Sequence, residues 1–347
     1  MSRRIAVLAT AASSGEVGGA ERFYVGLRDA LRAEGVDAEI VSVVSDEANF
    51  EAILESYLRF YDLDLSNFDG VISTKAPGYV VRHPNHVCYL MHTMRVFYDM
   101  FDVEFPHAGV ELHAQRRRIH ELDTAALSDE NVRARFVIGH EVGKRLRDYN
   151  GLDSRVVYPE TTVTGFQRGE YRHLYMPGRL HRWKRVDLVI EAMRYVRSPL
   201  HLLISGTGED EQKLRELAAG DDRIRFLGRV SDEHLLRLYA DALAVPFVPF
   251  REDFGLVAVE AFHSAKPVIT CADSGEPARM VRDFDAGMVC APDPRALAEA
   301  IDKYAQDPVL ARATGLRAAD RVQSIQWAKV ARTLINALGM DPGANHK

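Results

Sequence analysis

Residues 243–272 read LAVPFVPFREDFGLVAVEAFHSAKPVITCA, a pattern that predicts a strand, a loop, a helix and a second strand. The apolar runs at both ends are typical of buried parallel strands, and residues 256–265 are apolar enough for a largely buried helix. Glu252 lies in the loop and Glu260 lies in the helix. Ligands of open α/β sheets bind at the carboxyl ends of the strands, so this stretch predicts both a fold class and a site.

The same alternation extends in both directions from this stretch. Near the start, an apolar strand at 3–10 leads through a glycine-rich loop into a helical pattern that ends at Gly35. Pro159 interrupts the alternation and marks a candidate hinge, and a second series of strands and helices begins at residue 173. We therefore expect an α/β protein with two Rossmann-like, doubly wound parallel-sheet domains.

Composition narrows the class of protein. The 347 residues are 47% hydrophobic and 27% charged, and no apolar run approaches the length of a membrane helix. The net charge of −6 arises in residues 1–158, which contain 24 acidic and 18 basic residues. This acidity disfavours nucleic acid or an anionic membrane as a partner. Three cysteines and a short apolar start without a cleavage site predict a cytoplasmic protein with small buried thiols.

Two cations and two glycines follow predicted strands. Arg179 and Lys184 lie between a strand and a helix, where an arginine fork and a lysine point charge suit a diphosphate, although loop cations are often only solvated. Gly18 and Gly19 would let the backbone approach a phosphate at a helix N-terminus. An ordinary tight turn explains these glycines equally well, because neither GxGxxG nor a P-loop is present.

The two glutamates suggest one acid for each of two sugars. The N–H groups of Gly255, Leu256 and Val257 lie at the predicted helix start and can hold a phosphate between them. Glu260 stands in an apolar helix, where a carboxylate needs partners such as vicinal sugar hydroxyls. Two unrelated surface acids are the alternative, which the apolar neighbours of Glu260 disfavour.

With these residues in place, the chain resembles retaining glycosyltransferases of family 4. The resemblance rests on the Arg179 and Lys184 pair, on Glu252 and Glu260 eight positions apart, and on GGAERF at 18–23, GTGEDEQKL at 206–214, FLGRVSDEHLLRLYADA at 226–242 and AKPVITCADSGEP at 265–277. It implies the GT-B fold, with two domains that face a central cleft. The implied domains are an acceptor-binding unit at 1–158, a nucleotide-sugar unit at 159–320 and a segment at 321–347 that returns to the first domain.

The resemblance also implies roles for individual residues. Glu260 would hold the donor ribose, Glu252 would lie by the donor hexose, and Arg179 and Lys184 would bind the diphosphate. His92 follows a strand and would contact a hexose hydroxyl or a phosphate oxygen. The implied catalytic group is His92, Arg179, Lys184 and Glu252, and the implied donor-binding group is Gly18, Gly19, Gly206, Arg229, Val230, Phe254, Gly255, Leu256, Val257 and Glu260.

Two departures from the family pattern concern the donor sugar. The segment after His92 is similar to the His-Thr-Pro-Met-Arg segment of bacterial mannosyltransferases, but it lacks the proline. Ser274 and Ala278 replace a glycine and a glutamate in the donor loop, where Glu276 or Arg279 would have to substitute. A GDP- or UDP-sugar is expected, with a GDP-mannose-like donor slightly favoured.

The expected activity is retaining hexosyl transfer to an acceptor hydroxyl in bacterial polysaccharide or secondary-metabolite biosynthesis. Neither a cofactor nor a metal is expected, and Asp62, Asp64, Asp283 and Asp285 are interpreted as loop acids. The acceptor would be a sugar, glycolipid or small molecule, with peripheral membrane contact through residues 116–118 not favoured over a solvated helix face. A non-catalytic sugar-nucleotide binder and a GT-B epimerase or phosphorylase are the alternatives.

Overall fold

The computed structural model describes residues 3–12 and 19–340. The chain divides into two compact units, one formed by 1–162 together with 325–347 and the other by 163–324. The sequence had placed the first boundary after residue 158 and the start of the final segment at 321.

The first unit is a six-stranded parallel sheet with helices on its connections. Its elements in chain order are β1 (Arg4–Ala12), α1 (Gly19–Ala33), β2 (Asp37–Ser45), α2 (Phe50–Tyr61), β3 (Gly70–Lys75), β4 (His86–His92), α3 (Phe101–Glu104), α4 (Val110–Ala126), β5 (Ala134–Val137), α5 (His140–Asn150) and β6 (Arg155–Val156). The strand order is β2-β1-β3-β4-β5-β6. The direction of winding therefore reverses between β1 and β3.

The second unit repeats this architecture. Its elements are β7 (His173–Pro177), α6 (Val186–Met193), β8 (Leu202–Ser205), α7 (Glu211–Leu217), β9 (Ile224–Gly228), α8 (Asp232–Ala240), β10 (Ala242–Pro246), α9 (Leu256–His263), β11 (Val268–Cys271), α10 (Glu276–Asp283), β12 (Gly287–Cys290), α11 (Pro294–Gln306) and α12 (Pro308–Arg321). The strand order is β12-β11-β10-β7-β8-β9, and the adjacent strands are parallel. The predicted doubly wound α/β class is confirmed for both units.

Burial on both faces explains why the strands are apolar throughout. Residues 5–9 of β1 are no more than 2% exposed, and the whole of β10 is buried. Helices cover both faces of a doubly wound sheet, so its strands are near-continuous apolar runs. Winding in the second unit reverses between β7 and β10, which are paired neighbours. The loops after these two strands therefore begin at the crevice where such folds bind ligands.

A last helix, α13 (Trp327–Ala337), packs on the first unit. The ring of Trp327 lies 5.5 Å from that of Phe23 on α1, and its backbone N–H donates to Glu160 at 3.1 Å. A Cβ added at Gly26 would lie 2.7 Å from the Trp327 ring, so a glycine lets the two helices approach closely.

The sequence predicted that the basic residues 116–118 on α4 form a solvated helix face, and this is correct for only two of them. Arg117 and Arg118 are exposed, but Arg116 donates to the carbonyl oxygens of Phe97 and Tyr98 at 3.1 and 3.3 Å. The guanidinium of Arg116 also stacks over Phe101, 4.3 Å from the ring centre. Arg116 is therefore bound to the main chain and is not simply solvated, because its planar guanidinium group can donate to two neighbouring carbonyl oxygens.

The three cysteines are free thiols, as predicted. Cys88 and Cys271 are buried, and Cys290 is half-buried. Burial raises the pKa of the Cys88 thiol to about 12, which keeps it protonated and unreactive at neutral pH.

A buried carboxyl group connects the helices of the first unit. Asp123 on α4 is fully buried and accepts hydrogen bonds of 2.6 Å from the hydroxyls of Tyr57 and Tyr98. Burial raises its pKa to about 6, although the tyrosine hydroxyls act in the opposite direction. An aspartate in an unfolded chain titrates near 3.9. The stabilising contribution of this group is therefore complete below about pH 4 and is lost as the pH rises through about 6.

We expect Asp123→Asn to remove this pH dependence. From pH 4.5 to 7.5 the wild-type protein should lose about 2 kcal/mol of unfolding free energy relative to the variant, because only the wild type must ionise a buried acid. Burial lowers the pKa of His86 to about 4, which acts in the opposite sense, so the difference between the proteins is the informative quantity. Urea unfolding at several pH values measures it, with Asp129→Asn on the surface as the control. A constant difference between wild type and variant would contradict the prediction.

Candidate active site

The centre of the candidate site is an ion pair between the loops that follow β7 and β10. Lys184 ends a short 3-10 turn, Arg182–Lys184, and Glu252 lies between β10 and α9. The Lys184 ammonium donates to both oxygens of Glu252, at 2.8 and 2.7 Å. Their side chains are 28% and 20% exposed, so the pair is sheltered but accessible. The sequence had predicted both residues as site residues but had not predicted that they contact each other.

Arg179 lies in the same loop as Lys184 but is much more open. Its side chain is 66% exposed, and its Nε lies 3.3 Å from a carboxylate oxygen of Glu209. The other oxygen of Glu209 lies 3.3 Å from His181. Arg179 and Lys184 thus present one exposed and one sheltered cation on a single loop. An exposed side chain with one long ion pair can be reoriented by a polyanion at little cost.

Two glycines let the loops after β7 and β8 touch. Gly206 follows β8 at φ +114°, and a Cβ there would lie 1.9 Å from the carbonyl oxygen of Gly178. Gly208 is equally constrained, because its Cβ would lie 2.2 Å from the carbonyl oxygen of Leu180. The predicted donor residue Gly206 is therefore required by close backbone approach, whatever ligand it contacts.

The start of α9 has the geometry expected of an anion-binding helix end. Gly255 caps the helix in a left-handed conformation at φ +89°, and Phe254 beside it is buried. Leu256 and Val257 occupy the first two helical positions and are half-buried. The N–H groups at these positions have no carbonyl acceptor within the helix, so they can donate to an anion.

Glu260 lies in the second turn of α9 and is held by a buried tyrosine. The hydroxyl of Tyr239 on α8 donates to one oxygen of Glu260 at 2.8 Å. The ring of Tyr175 meets that of Tyr239 edge-on at 4.9 Å, and its own hydroxyl lies 2.7 Å from Ser205. Burial, followed by the charge of Glu260, raises the pKa of Tyr239 well above its usual range, so it remains a hydrogen-bond donor. The charged carboxylate is thereby oriented by a permanent donor.

The segment 274–281 is a tight turn followed by a helix, rather than the loop that the sequence suggested. Glu252 pairs with Gly275 like a strand, since the Glu252 N–H donates to Ser274 and its carbonyl accepts from Glu276, both at 3.0 Å. Pro277 in the first turn of α10 explains the helix start, because its missing N–H is not needed there.

The burial of this segment determines whether the side chains of Glu276 and Arg279 are accessible at the candidate site. Glu276 is fully buried at the start of α10, and Arg279 is half-exposed and pairs with Asp283 at 3.4 Å. Ser274 and Ala278 are also buried. Of the two residues that the sequence offered as substitutes, Glu276 is therefore buried inside the unit and only Arg279 is accessible to solvent.

Arg185 is a residue that the sequence analysis missed. It adopts a left-handed conformation at φ +49°, immediately after Lys184. Its guanidinium binds Asp273 through both nitrogens, at 2.8 and 2.7 Å. The sequence did not predict this contact, because the two residues are 88 positions apart in the chain.

The remaining predicted site residues are distributed over both units. Arg229 and Val230 directly follow β9, where Arg229 is exposed and Val230 is half-buried. In the first unit, His92 ends β4 and its Nδ1 donates to the Thr93 carbonyl at 2.8 Å. Gly19 is the first residue of α1. Gly18 lies outside the described residues.

Within residues 3–12 and 19–340, no cluster of three or more His, Cys, Asp or Glu side chains is suited to hold a metal ion. Over the same ranges, no helix combines the length and the apolar character needed to cross a membrane.

The sequence of the second unit matches a known protein family. Residues 164–321 match the family described as glycosyl transferases group 1. The match covers slightly less than half of the chain and lies within the second unit. The predicted family resemblance is therefore confirmed, and the match includes Arg179, Lys184, Glu252 and Glu260.

Comparison with individual proteins agrees with this family. Human alpha-1,3/1,6-mannosyltransferase is 29% identical over 204 residues, which are 50% of this chain and about half (49%) of the relative. A D-inositol 3-phosphate glycosyltransferase from Corynebacterium diphtheriae is 24% identical across 98% of this chain and 95% of that protein. Sucrose-phosphate synthase from Thermosynechococcus elongatus superposes with a TM-score of 0.75 at 20% identity, covering 96% of this chain and 98% of that one. The predicted GT-B fold class is thus confirmed.

Proposed function

We propose that this glycosyl transferase moves a hexose from a nucleoside-diphosphate sugar to an acceptor hydroxyl, with retention of anomeric configuration. The observation that carries the proposal is the ion pair of Lys184 and Glu252 at the winding reversal, with Glu260 on the helix that follows. The mannosyltransferase and glycosyltransferase names of the two relatives support transfer of a hexose. Transfer from GDP-mannose is the favoured donor reaction, and UDP-hexoses are the next candidates.

The diphosphate is proposed to bind among Lys184, Arg179 and the start of α9. An ammonium group has three N–H donors, and two of those on Lys184 point to Glu252. The third can reach a phosphate oxygen without breaking the pair. Arg179 supplies the net positive charge, because the charges of Lys184 and Glu252 cancel. Together with the Leu256 and Val257 N–H groups, these donors neutralise a diphosphate in a way that needs no metal ion.

The two glutamates are proposed to bind one sugar each. Tyr239 orients the Glu260 carboxylate, and the vicinal ribose hydroxyls can then donate to it as a matched pair. Glu252 would face the hexose, with the backbone of Ser274 and Gly275 beside it. Gly206, Arg229, Val230 and Phe254 complete the proposed donor site.

The proposed reaction takes place on one face of the hexose. The bond from its anomeric carbon to the β-phosphate oxygen breaks, and both electrons leave with the phosphate. The acceptor oxygen bonds to the same carbon on the same face and passes its proton to the departing phosphate oxygen. The protein contributes position and charge stabilisation, which Arg179, Lys184 and the α9 N–H groups provide where negative charge develops.

The acceptor is proposed to bind the first unit. His92 would donate to or accept from a hexose hydroxyl, since its hydrogen bond to Thr93 fixes the Nδ1 proton and the ring orientation. Gly18 and Gly19 are proposed to contact a phosphate of the donor through the backbone, not the acceptor. The acidity of residues 1–158 favours a neutral or cationic acceptor, such as a sugar or an amino sugar.

A donor screen without acceptor tests the proposal. The protein would be heated with UDP-, GDP- and dTDP-sugars, and slow release of nucleoside diphosphate would be followed separately. A donor present at 100 times its Kd should add about 2.7 kcal/mol of stability, and Glu260→Ala should lose most of that gain. Absence of stabilisation by every donor and diphosphate would overturn the proposal. Stabilisation without any release or transfer would favour a non-catalytic sugar-nucleotide binder.

A further inference from the structure

Arg185 combines a disfavoured backbone conformation with several hydrogen bonds from its guanidinium group. Its φ of +49° and ψ of +45° lie in the left-handed region, which only glycine adopts without cost. Its side chain is only 17% exposed. A residue is retained in such a conformation when its surroundings hold it there, and these residues often concentrate near functional sites.

The guanidinium of Arg185 joins the loops after β10 and β11. Its Nε donates to the Val248 carbonyl at 2.7 Å, and Nη2 donates to the Pro249 carbonyl at 3.0 Å. The two Nη atoms donate to the two carboxylate oxygens of Asp273, and Nη2 also lies 3.4 Å from the Ser274 hydroxyl. Because Arg185 itself belongs to the loop after β7, one side chain connects three loops of the candidate site.

These loops are the ones that position the charged pair. Phe250 donates its N–H to the Trp183 carbonyl at 2.7 Å, and Arg251 donates to the Asp273 carbonyl at 3.0 Å. Lys184 directly precedes Arg185, and Glu252 follows the two carbonyls that Arg185 binds by three to four positions. Movement of the arginine would therefore shift Lys184 and Glu252 relative to each other.

We infer that Arg185 is a positioning residue for hexosyl transfer, which sets the geometry of Lys184 and Glu252 through Asp273 and the carbonyls after β10. This inference rests on the proposed function. It assigns Arg185 no contact with the donor, so its effect should be on the rate of transfer more than on the affinity for the nucleotide part of the donor.

The test replaces Arg185 with glycine, which tolerates the left-handed backbone and leaves a space of guanidinium shape. With GDP-mannose and UDP-glucose as probes, we expect kcat for nucleoside diphosphate release to fall about 10- to 100-fold, while the Kd of GDP or UDP changes less than about threefold. Added guanidinium at about 30 mM, far below denaturing concentrations, should restore at least a third of the lost rate.

Arg223 provides a matched control in the same unit. It also binds one aspartate through two nitrogens, Asp221 at 2.9 and 2.7 Å, and it also donates to two main-chain carbonyls. It lies in none of the three loops. Arg223→Ala should leave kcat unchanged, and guanidinium should have no effect on it.

Hydrogen exchange separates failure of this inference from failure of the proposed function. In Arg185→Gly, but not in Arg223→Ala, the Arg251 and Glu252 amide protons should exchange at least tenfold faster. Unchanged exchange, an unchanged kcat, or a loss of rate that guanidinium does not restore would each overturn the role of Arg185. If the wild-type protein releases no nucleoside diphosphate from any donor while Arg185→Gly still shows the predicted faster exchange, only the proposed function is overturned.

Discussion

Lys184→Ala is expected to lower kcat/KM for hexosyl transfer about 100- to 1,000-fold, the largest effect of any single substitution proposed for this protein. The ammonium group is the sheltered cation of the site, 28% exposed, and in the proposed reaction it stabilises charge on the departing diphosphate. Its loss also leaves Glu252 without the partner that binds both of its oxygens. A half-buried carboxylate without its counter-charge repels the diphosphate further.

Steady-state rates of sugar transfer, or of nucleoside diphosphate release, measure this effect. Lys144→Ala is the control, because Lys144 also pairs with an acid, Asp148, but on an exposed face of α5. The control should retain full activity, since exposed ion pairs contribute little. A Lys184→Ala protein with more than a third of wild-type kcat/KM would contradict the assignment of Lys184 to the leaving group.

Glu252→Gln is expected to lower kcat/KM about 10- to 100-fold. The substitution preserves shape and one oxygen but removes the charge that holds Lys184 in place. A hydrogen bond to a charged group contributes about 1.5–3 kcal/mol, which corresponds to a loss of this size. Glu55→Gln is the matched control, because Glu55 pairs with Arg59 at 3.3 Å on the exposed face of α2.

The double variant distinguishes a functional pair from two separate contacts. If Lys184 and Glu252 act as a unit, Lys184→Ala with Glu252→Gln should be no worse than Lys184→Ala alone. Losses that multiply would mean that the two side chains contribute independently, and the ion pair would then be only a feature of the protein without its donor.

Local sequence signals predicted most of the architecture. The apolar run of residues 5–9 and the apolar segment of β10 predicted buried parallel strands, because such strands are covered on both faces. The helix at 256–263 was predicted from its apolar content, and the strand before it placed Glu252 at the carboxyl edge of the sheet. The helix at α10 was missed, since its short charged segment lacks a long apolar period and its start depends on Pro277.

The sequence predicted a set of charged site residues, but it did not predict the contacts among them. Arg179, Lys184, Glu252 and Glu260 follow from their positions after strands and from their spacing. The sequence assigned separate sugar and phosphate roles to Glu252 and Lys184, yet the two side chains are in direct contact. Tyr239 and Arg185 gave no local signal, because each acts on a residue that lies 21 or more positions away.

The sequence by itself determined most of the elements, the two doubly wound sheets and the set of charged residues that follow the strands, because apolar periodicity and loop position are local properties. Only the tertiary structure decided which of these charges pair. The reversal of winding brings the loops after β7 and β10 side by side, although they are separated by about seventy residues of chain. Burial then favoured three contacts, since a sheltered charge requires a partner. They are the ion pair of Lys184 and Glu252, the hydrogen bond from Tyr239 to Glu260, and the ion pair of Arg185 and Asp273.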